Sequence, residues 1–139
     1  MDDLIVFLRA RLDDDAAAAR AASWDGWDGS HWTAHHRERH DGRWAVIDRA
    51  DEGVIPTVAP QAADDAGVAQ HIACHDPARV LREVEAKGRI LDSYLPDATG
   101  ADEQINEEWQ AGSTLADDLL CLLALPYADH PDYRDDWRP

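Results

Sequence analysis

Trp32-Thr33-Ala34-His35-His36-Arg37-Glu38-Arg39-His40-Asp41-Gly42-Arg43-Trp44-Ala45-Val46-Ile47-Asp48-Arg49-Ala50-Asp51-Glu52-Gly53-Val54-Ile55-Pro56-Thr57-Val58 is the stretch that decides the fold class. Its β-branched and aromatic residues come in short runs separated by turn residues, not at helical spacing. Asp41-Gly42, between Trp32–Arg39 and Arg43–Arg49, is a hairpin signature. A second turn at Ala50-Asp51-Glu52-Gly53 leads into Val54–Val58. With two residues in the first loop and four in the second, Arg39 falls opposite Trp44, Ala45 faces Val58 and Ile47 faces Pro56. Val54, Pro56 and Val58 then alternate onto the face turned to the helices. Pro56 has no N–H for a ladder, so the third strand is expected at an edge.

Outward from this meander the period changes. Leu4, Ile5, Leu8 and Leu12 repeat at helical spacing, Asp2 and Asp3 sit at the favourable dipole end, and Ala16–Ala19 extend the pattern, which predicts a helix over 2–22. The Gly/Ser/Asp-rich stretch from Ser23 to Ser30 reads as a loop. Asp64 or Asp65 is a candidate N-cap for a short helix through about Cys74. Asp76-Pro77 opens another that runs through Val80, Leu81, Val84, Leu91 and Leu95 to Pro96. Gly88 inside it costs about 1 kcal/mol relative to alanine. A last helix over 102–124 is expected to place Ile105, Trp109, Leu115, Ala116, Leu119 and Leu123 on one side, with Glu103, Glu107, Asp117 and Asp118 opposite. Pro126 stops it. The fold class is therefore α+β and mainly helical: about four helices packed with a small antiparallel β-meander (residues 32–58), in a single domain over 1–139.

Composition sharpens this. The chain has 139 residues, 13 Lys+Arg against 29 Asp+Glu, and a formal net charge of −16. Leu, Ile, Val and Phe together number only 26, close to the disordered class. Those residues are periodic where they occur, however, and six tryptophans add large buried area. Such negative charge argues against a protein that neutralises nucleic-acid phosphates or docks on anionic lipid. There is no apolar run long enough for a membrane span, and the acidic start with the short Leu4–Leu8 run does not form a signal peptide. A cytoplasmic protein is the expectation. Cys74 and Cys121 lack a CxxC pattern and read as reduced, buried thiols. The acidity is polarised: residues 92–139 carry 12 acids and 2 bases, whereas residues 1–91 carry 17 and 11.

Four stretches could carry chemistry. In His71-Ile72-Ala73-Cys74-His75-Asp76 the two histidines stand at i and i+4, a spacing that can hold one metal on a helix, with His130 as a further candidate ligand. The economical reading is that Asp76 caps the helix opened by Pro77 and that His75 lies at or past the end of the preceding one. His31, His35, His36 and His40 form a histidine-rich tract, but in the register above they do not converge. Arg37 and Arg39 would repel a cation, and Arg39 would stack on Trp44. The acids from Asp92 to Asp132 are either the wet face of an amphipathic helix or a surface for a basic partner. In the tail, Tyr127, Tyr133 and Trp137 would cover the core if packed down and form a peptide ligand if free; packing is the expected state.

No GxGxxG, GxxxxGK[ST] or GxSxG motif is present, and no cofactor is expected. The functional expectation is a non-catalytic interaction or regulatory module. It would meet an unidentified protein partner through its acidic face or its aromatic tail, with Asp76, Arg79, Tyr127, Tyr133 and Trp137 as interaction candidates and no direct nucleic-acid or membrane binding. The alternatives are a metal-binding protein or metal-dependent hydrolase using His71, His75 and His130, and a DNA-mimic inhibitor.

Three blocks, Leu4–Leu12 with its acidic flank, His71–Leu91 and Leu122–Pro139, carry a resemblance. Together they resemble a family of small acidic actinobacterial proteins that share a domain of unknown function, with an HIARHDPARVL-like central block and an LALPYADHPDYRDEWRP-like terminal block. About half of the chain is covered. The sequence departs from that pattern at Cys74 and Gly88, where basic residues are expected, so an anion contact made by those positions would be lost here. The resemblance implies no activity. It does suggest that the tail folds back on the Asp76-capped helix, with Arg79 near a tail carboxylate.

Overall fold

The computed structural model describes residues 2–24, 26–38, 42–61, 63–93 and 107–139. In chain order the elements are α1 (Asp2–Ala21), β1 (Trp32–Arg37), β2 (Arg43–Asp48), β3 (Gly53–Val58), α2 (Asp65–Cys74), α3 (Pro77–Ser93) and α4 (Glu107–Ala124), followed by short 3₁₀ turns at Leu125–Tyr127 and Asp135–Trp137. This is the expected α+β architecture, mainly helical. The expected path of α3 through Leu95 to Pro96, the start of the last helix at 102 and the place of Ile105 lie outside the described residues, as does the Trp109 side chain. No helix of the described residues is long and apolar enough to cross a membrane. The chain divides into two compact units, Asp15–Glu83 and Met1–Asp14 with Val84–Pro139.

In the unit of residues 15–83 the three strands form one antiparallel sheet in the order β1-β2-β3. Placing β3 at an edge fits Pro56, which has no N–H to give a second neighbour. The central strand β2 is buried from Ala45 to Asp48, as a strand covered on both faces must be. Val46, Val58 and Ala69 form its core, with Trp32, Ala34, Trp44, Val54, Ile55, Val68 and Ile72 packed around them. Helix α2 lies against this sheet because it is capped and apolar in the right places. The Asp64 carboxylate accepts from the Gly67 N–H at 2.6 Å, and a Cβ on residue 67 would approach that carboxylate to 3.0 Å.

The register differs from the expected one in both hairpins. Arg37 pairs with Arg43, which leaves five residues between β1 and β2 in place of two, and His36, not Arg39, stands opposite Trp44. Their rings lie 5.4 Å apart, and Gly42 turns with φ +64°. Arg39 and His40 lie outside the described residues. Between β2 and β3 the pairs are Trp44 with Val58, Val46 with Ile55 and Ile47 with Gly53. Each step adds an extra residue on β3, a bulge that rotates the strand. Pro56 is consequently exposed, and Val54, Ile55 and Val58 supply the inward side chains.

The other unit is a helical cluster sealed by the tail. Leu4, Phe7, Leu8 and Leu12 of α1 pack with Leu91 of α3, Leu120 and Ala124 of α4, and Trp137. Each such fully buried leucine contributes about 1.5–3 kcal/mol by leaving water. The inward face of α4 is set by Leu120 and Ala124, with Cys121 and Leu123 beside them. Leu115, expected on that face, is 70% exposed.

Candidate functional site

The block His71–Arg79 builds a corner that joins α2, α3 and the start of β1. Pro77 starts α3, and the residue before it supplies the cap: Asp76 Oδ1 accepts from the Arg79 N–H at 2.7 Å. The second carboxylate oxygen accepts from the Trp32 N–H at 3.2 Å, so a single buried side chain caps α3 and ties it to the first residue of β1. Arg79 reaches back to the Cys74 carbonyl at 3.1 Å and pairs with Glu83 one turn on at 2.8 Å; the Glu83 bond and charge hold its proton more firmly than usual. His75 closes α2, its N–H bonded to the Ile72 carbonyl and its ring Nδ1 2.8 Å from the His71 carbonyl. The His71 and His75 rings are 4.4 Å apart, both exposed. Among the described residues no group of three or more His, Cys, Asp or Glu side chains gathers around a point that could hold a metal ion. Cys74, expected to be buried, is exposed because it falls on the outer side of α2's last turn; Cys121 is half-buried, and burial, reinforced by Asp117, Asp118 and Asp136, pushes its thiol up.

A second polar cluster gathers on Asp48 at the turn from β2 to β3. Asp48, 3% exposed at the end of β2, receives the Trp27 Nε1–H at 2.8 Å on one oxygen. Its other oxygen receives the Ala50 and Glu52 N–H groups at 2.8 and 2.9 Å. Desolvation raises its pKa, but the three donated bonds outweigh that and hold it below the ordinary value. Nearby Asp28 is lowered chiefly by the bond from His31, then by Ser30, against its own desolvation; Arg49 adds an ion pair at 3.0 Å. The local signal was an Asp followed two residues later by a turn, the Asx-turn pattern.

The tail aromatics converge on Phe7. Tyr127, His130, Tyr133 and Trp137 bring their rings to 6.4, 5.7, 6.1 and 5.1 Å from it, mostly edge to face. Arg11 lies 5.4 Å over the same ring, donates to His130 and pairs with Asp14 at 2.8 Å. Arg134 completes the closure, pairing with Asp3 at 3.0 Å and lying 5.2 Å over Trp137. The tail thus folds back onto the cluster that contains Leu91 and Val84 of α3. Tyr127, Tyr133 and Trp137 are cover for a core, and His130 belongs to the same seal. The chain's only phenylalanine gave no pattern in the sequence, since a ring box is assembled from positions more than a hundred residues apart.

Among the described residues, the exposed large apolar side chains are Val6 of α1, Trp24 and Trp27 of the loop after it, and a row on the far side of the second half of α4. Leu115, Leu119 and Leu122 repeat at i, i+4 and i+7, roughly opposite Leu120 and Ala124 around the helix. Leu115 and Leu122 are 70% and 54% exposed, Leu125 follows at 43%, and the exposed Asp118 flanks the row. A helix apolar on both sides is ordinarily buried on both.

A model for a protein family described as a family of unknown function matches residues 1–139. No curated protein and no solved structure matches the chain.

Proposed function

We propose that this chain, which belongs over residues 1–139 to the family of unknown function DUF6221, is a non-catalytic interaction module. It binds a protein partner on the outer face of α4. The observation that carries this reading is the exposure of Leu115 and Leu122 on a helix whose opposite face is already buried in the core. Single exposed leucines are ordinary; two exposed leucines two turns apart, with half-buried Leu119 between them and exposed Asp118 beside them, are a docking pattern. Charge selects the occupant. Residues 92–139 carry 12 acids and 2 bases, so a second copy of the chain would bring like charge, whereas a basic amphipathic helix of another protein complements both the leucines and the acids. The aromatic tail, packed on Phe7, supports the face and is not the ligand.

The test is fluorescence anisotropy with a labelled amphipathic Lys/Leu helical peptide and its scrambled isomer. The ordered peptide is expected to bind, and Leu122→Glu to weaken it at least tenfold although the added charge favours a basic peptide. Tighter binding by Leu122→Glu, or equal binding of the scrambled peptide, means attraction by charge alone and overturns the reading. Loss of self-association in the Leu122→Glu protein by sedimentation, without peptide binding by either protein, would replace the basic partner by a second copy. Competition with DNA for a DNA-binding protein that fades steeply with salt would mark a phosphate mimic instead.

A further inference from the structure

His71 and His75 stand one turn apart at the end of α2, within the unit of residues 15–83, and both are exposed. Residues four apart on a helix share a face, and here the two imidazole rings lie 4.4 Å apart between centroids.

The bond made by His75 fixes which nitrogen is left. Its Nδ1 stands 2.8 Å from the His71 carbonyl, and a carbonyl can only accept, so Nδ1 carries the proton of the neutral ring. Nε2, on the opposite edge of the ring, keeps its lone pair and is turned away from that carbonyl. An imidazole that donates one N–H to a backbone carbonyl and holds its other nitrogen unprotonated is in the usual state of a metal-ligating histidine, because that bond sets the tautomer and steadies the ring. The exposed His71 ring can turn about χ2 to bring a nitrogen to the same point. A metal ion binds each imidazole nitrogen at about 2.0–2.1 Å, so rings this close lie within the span of one ion. Position favours a cation as well, since the pair sits at the carbonyl end of α2, the negative end of the helix dipole. Arg79, the cation that reaches the Cys74 carbonyl at this corner, is paired with Glu83 at 2.8 Å.

From this we infer that His71 and His75 form a two-histidine site for a divalent transition-metal ion of the imidazole-preferring class, Zn²⁺ among them, with water in its remaining positions. Imidazole suits zinc, copper and nickel, whereas Mg²⁺ and Ca²⁺ take oxygen ligands. Two protein ligands leave a tetrahedral ion two open positions, so the bound metal stays exchangeable and accessible to an added ligand. His130 is no part of the site: in the other unit it bonds Arg11 and packs on Phe7. The exposed Cys74 thiol, next to His75 in sequence and three residues from His71, is the competing ligand that an experiment has to separate. The site does not depend on the outer face of α4.

The test is a Zn²⁺ titration of the untagged, ¹⁵N-labelled protein at pH 7.5, with the imidazole nitrogens followed in long-range ¹H–¹⁵N spectra and assigned from His71→Ala and His75→Ala. Zn²⁺ is expected to move the His71 and His75 signals together in one saturable step, and Mg²⁺ to move neither. Each alanine variant, at an exposed position and checked by circular dichroism for unchanged helix content, should weaken that step at least about tenfold, since even the outer partners of a metal site are worth that much. Cys74→Ser should leave it unchanged. Shifts confined to the other histidines, no saturable step, an equal response to Mg²⁺ or an undiminished affinity in either alanine variant overturns the proposal. Loss of the step in Cys74→Ser overturns it too, by making the site a thiolate one.

Discussion

The two units hold themselves together by different means. The tail-sealed cluster relies on area: Phe7 among the four rings of Tyr127, His130, Tyr133 and Trp137, in one core with Leu4 and Leu8. The sheet unit has a thin core around Val46, Val58 and Ala69, and its corners are fastened by two buried carboxylates, Asp48 and Asp76, each accepting backbone N–H groups. Area is insensitive to pH, whereas a carboxylate that accepts such bonds is not. Two parts of one short chain should therefore fail under different stresses.

The largest effect should come from removing area. Trp137→Ala empties the top of the ring cluster and is expected to cost about 3–5 kcal/mol in urea unfolding. A loss below about 1 kcal/mol would mean that the tail does not seal the core. Next is Asp48→Asn. The folded carboxyl lies below its ordinary value, so its contribution is present in full above about pH 4 and is lost as pH falls through the lower folded pKa. The unsubstituted protein should lose stability as it is acidified below pH 4, and the variant, already less stable at pH 7, should lose less over the same range. Parallel pH profiles would break the contrast between the units. Asp76→Ala removes the cap of α3 and the acceptor of the Trp32 N–H, an expected loss of about 1–2 kcal/mol by thermal unfolding, with the Trp32 amide losing hydrogen-exchange protection. The smallest effect has the opposite sign. A Cβ at Gly88 meets no atom within 4 Å, so Gly88→Ala should stabilise by about 0.5–1 kcal/mol through helix propensity alone. A loss there would reveal a contact that the helix needs.

Features encoded within a few residues were legible. Asp64 and Asp76 were readable as caps because an N-cap bonds a donor two or three residues away, and the limits of α1, α2 and the start of α3 followed. Pro56 marked an edge strand through its missing N–H. Register was not legible. Both bulges of β3 and the five-residue first loop are settled by which side chains fit beneath α2, a competition among alternatives that differ by one residue of slip. Asp48 escaped notice for a related reason: its partner Trp27 is distant in sequence, and an aspartate at a strand end looks the same whether it faces water or a buried indole. Of the candidate site residues, Asp76 and Arg79 came together with Trp32, Cys74 and Glu83 at one corner, while Tyr127, His130, Tyr133 and Trp137 came together on Phe7.

By itself, the sequence determined the kinds of elements, their order, the positions of their caps and the concentration of negative charge after residue 91, since all of these are properties of neighbouring residues or of composition. Only the tertiary structure decided which side of α4 faces inward. The run from Leu115 to Leu125 is apolar nearly all the way round, so its period leaves the phase open. Packing in one cluster with Leu8 and Trp137 turned Leu120 and Ala124 to the core and left Leu115 and Leu122 to the solvent.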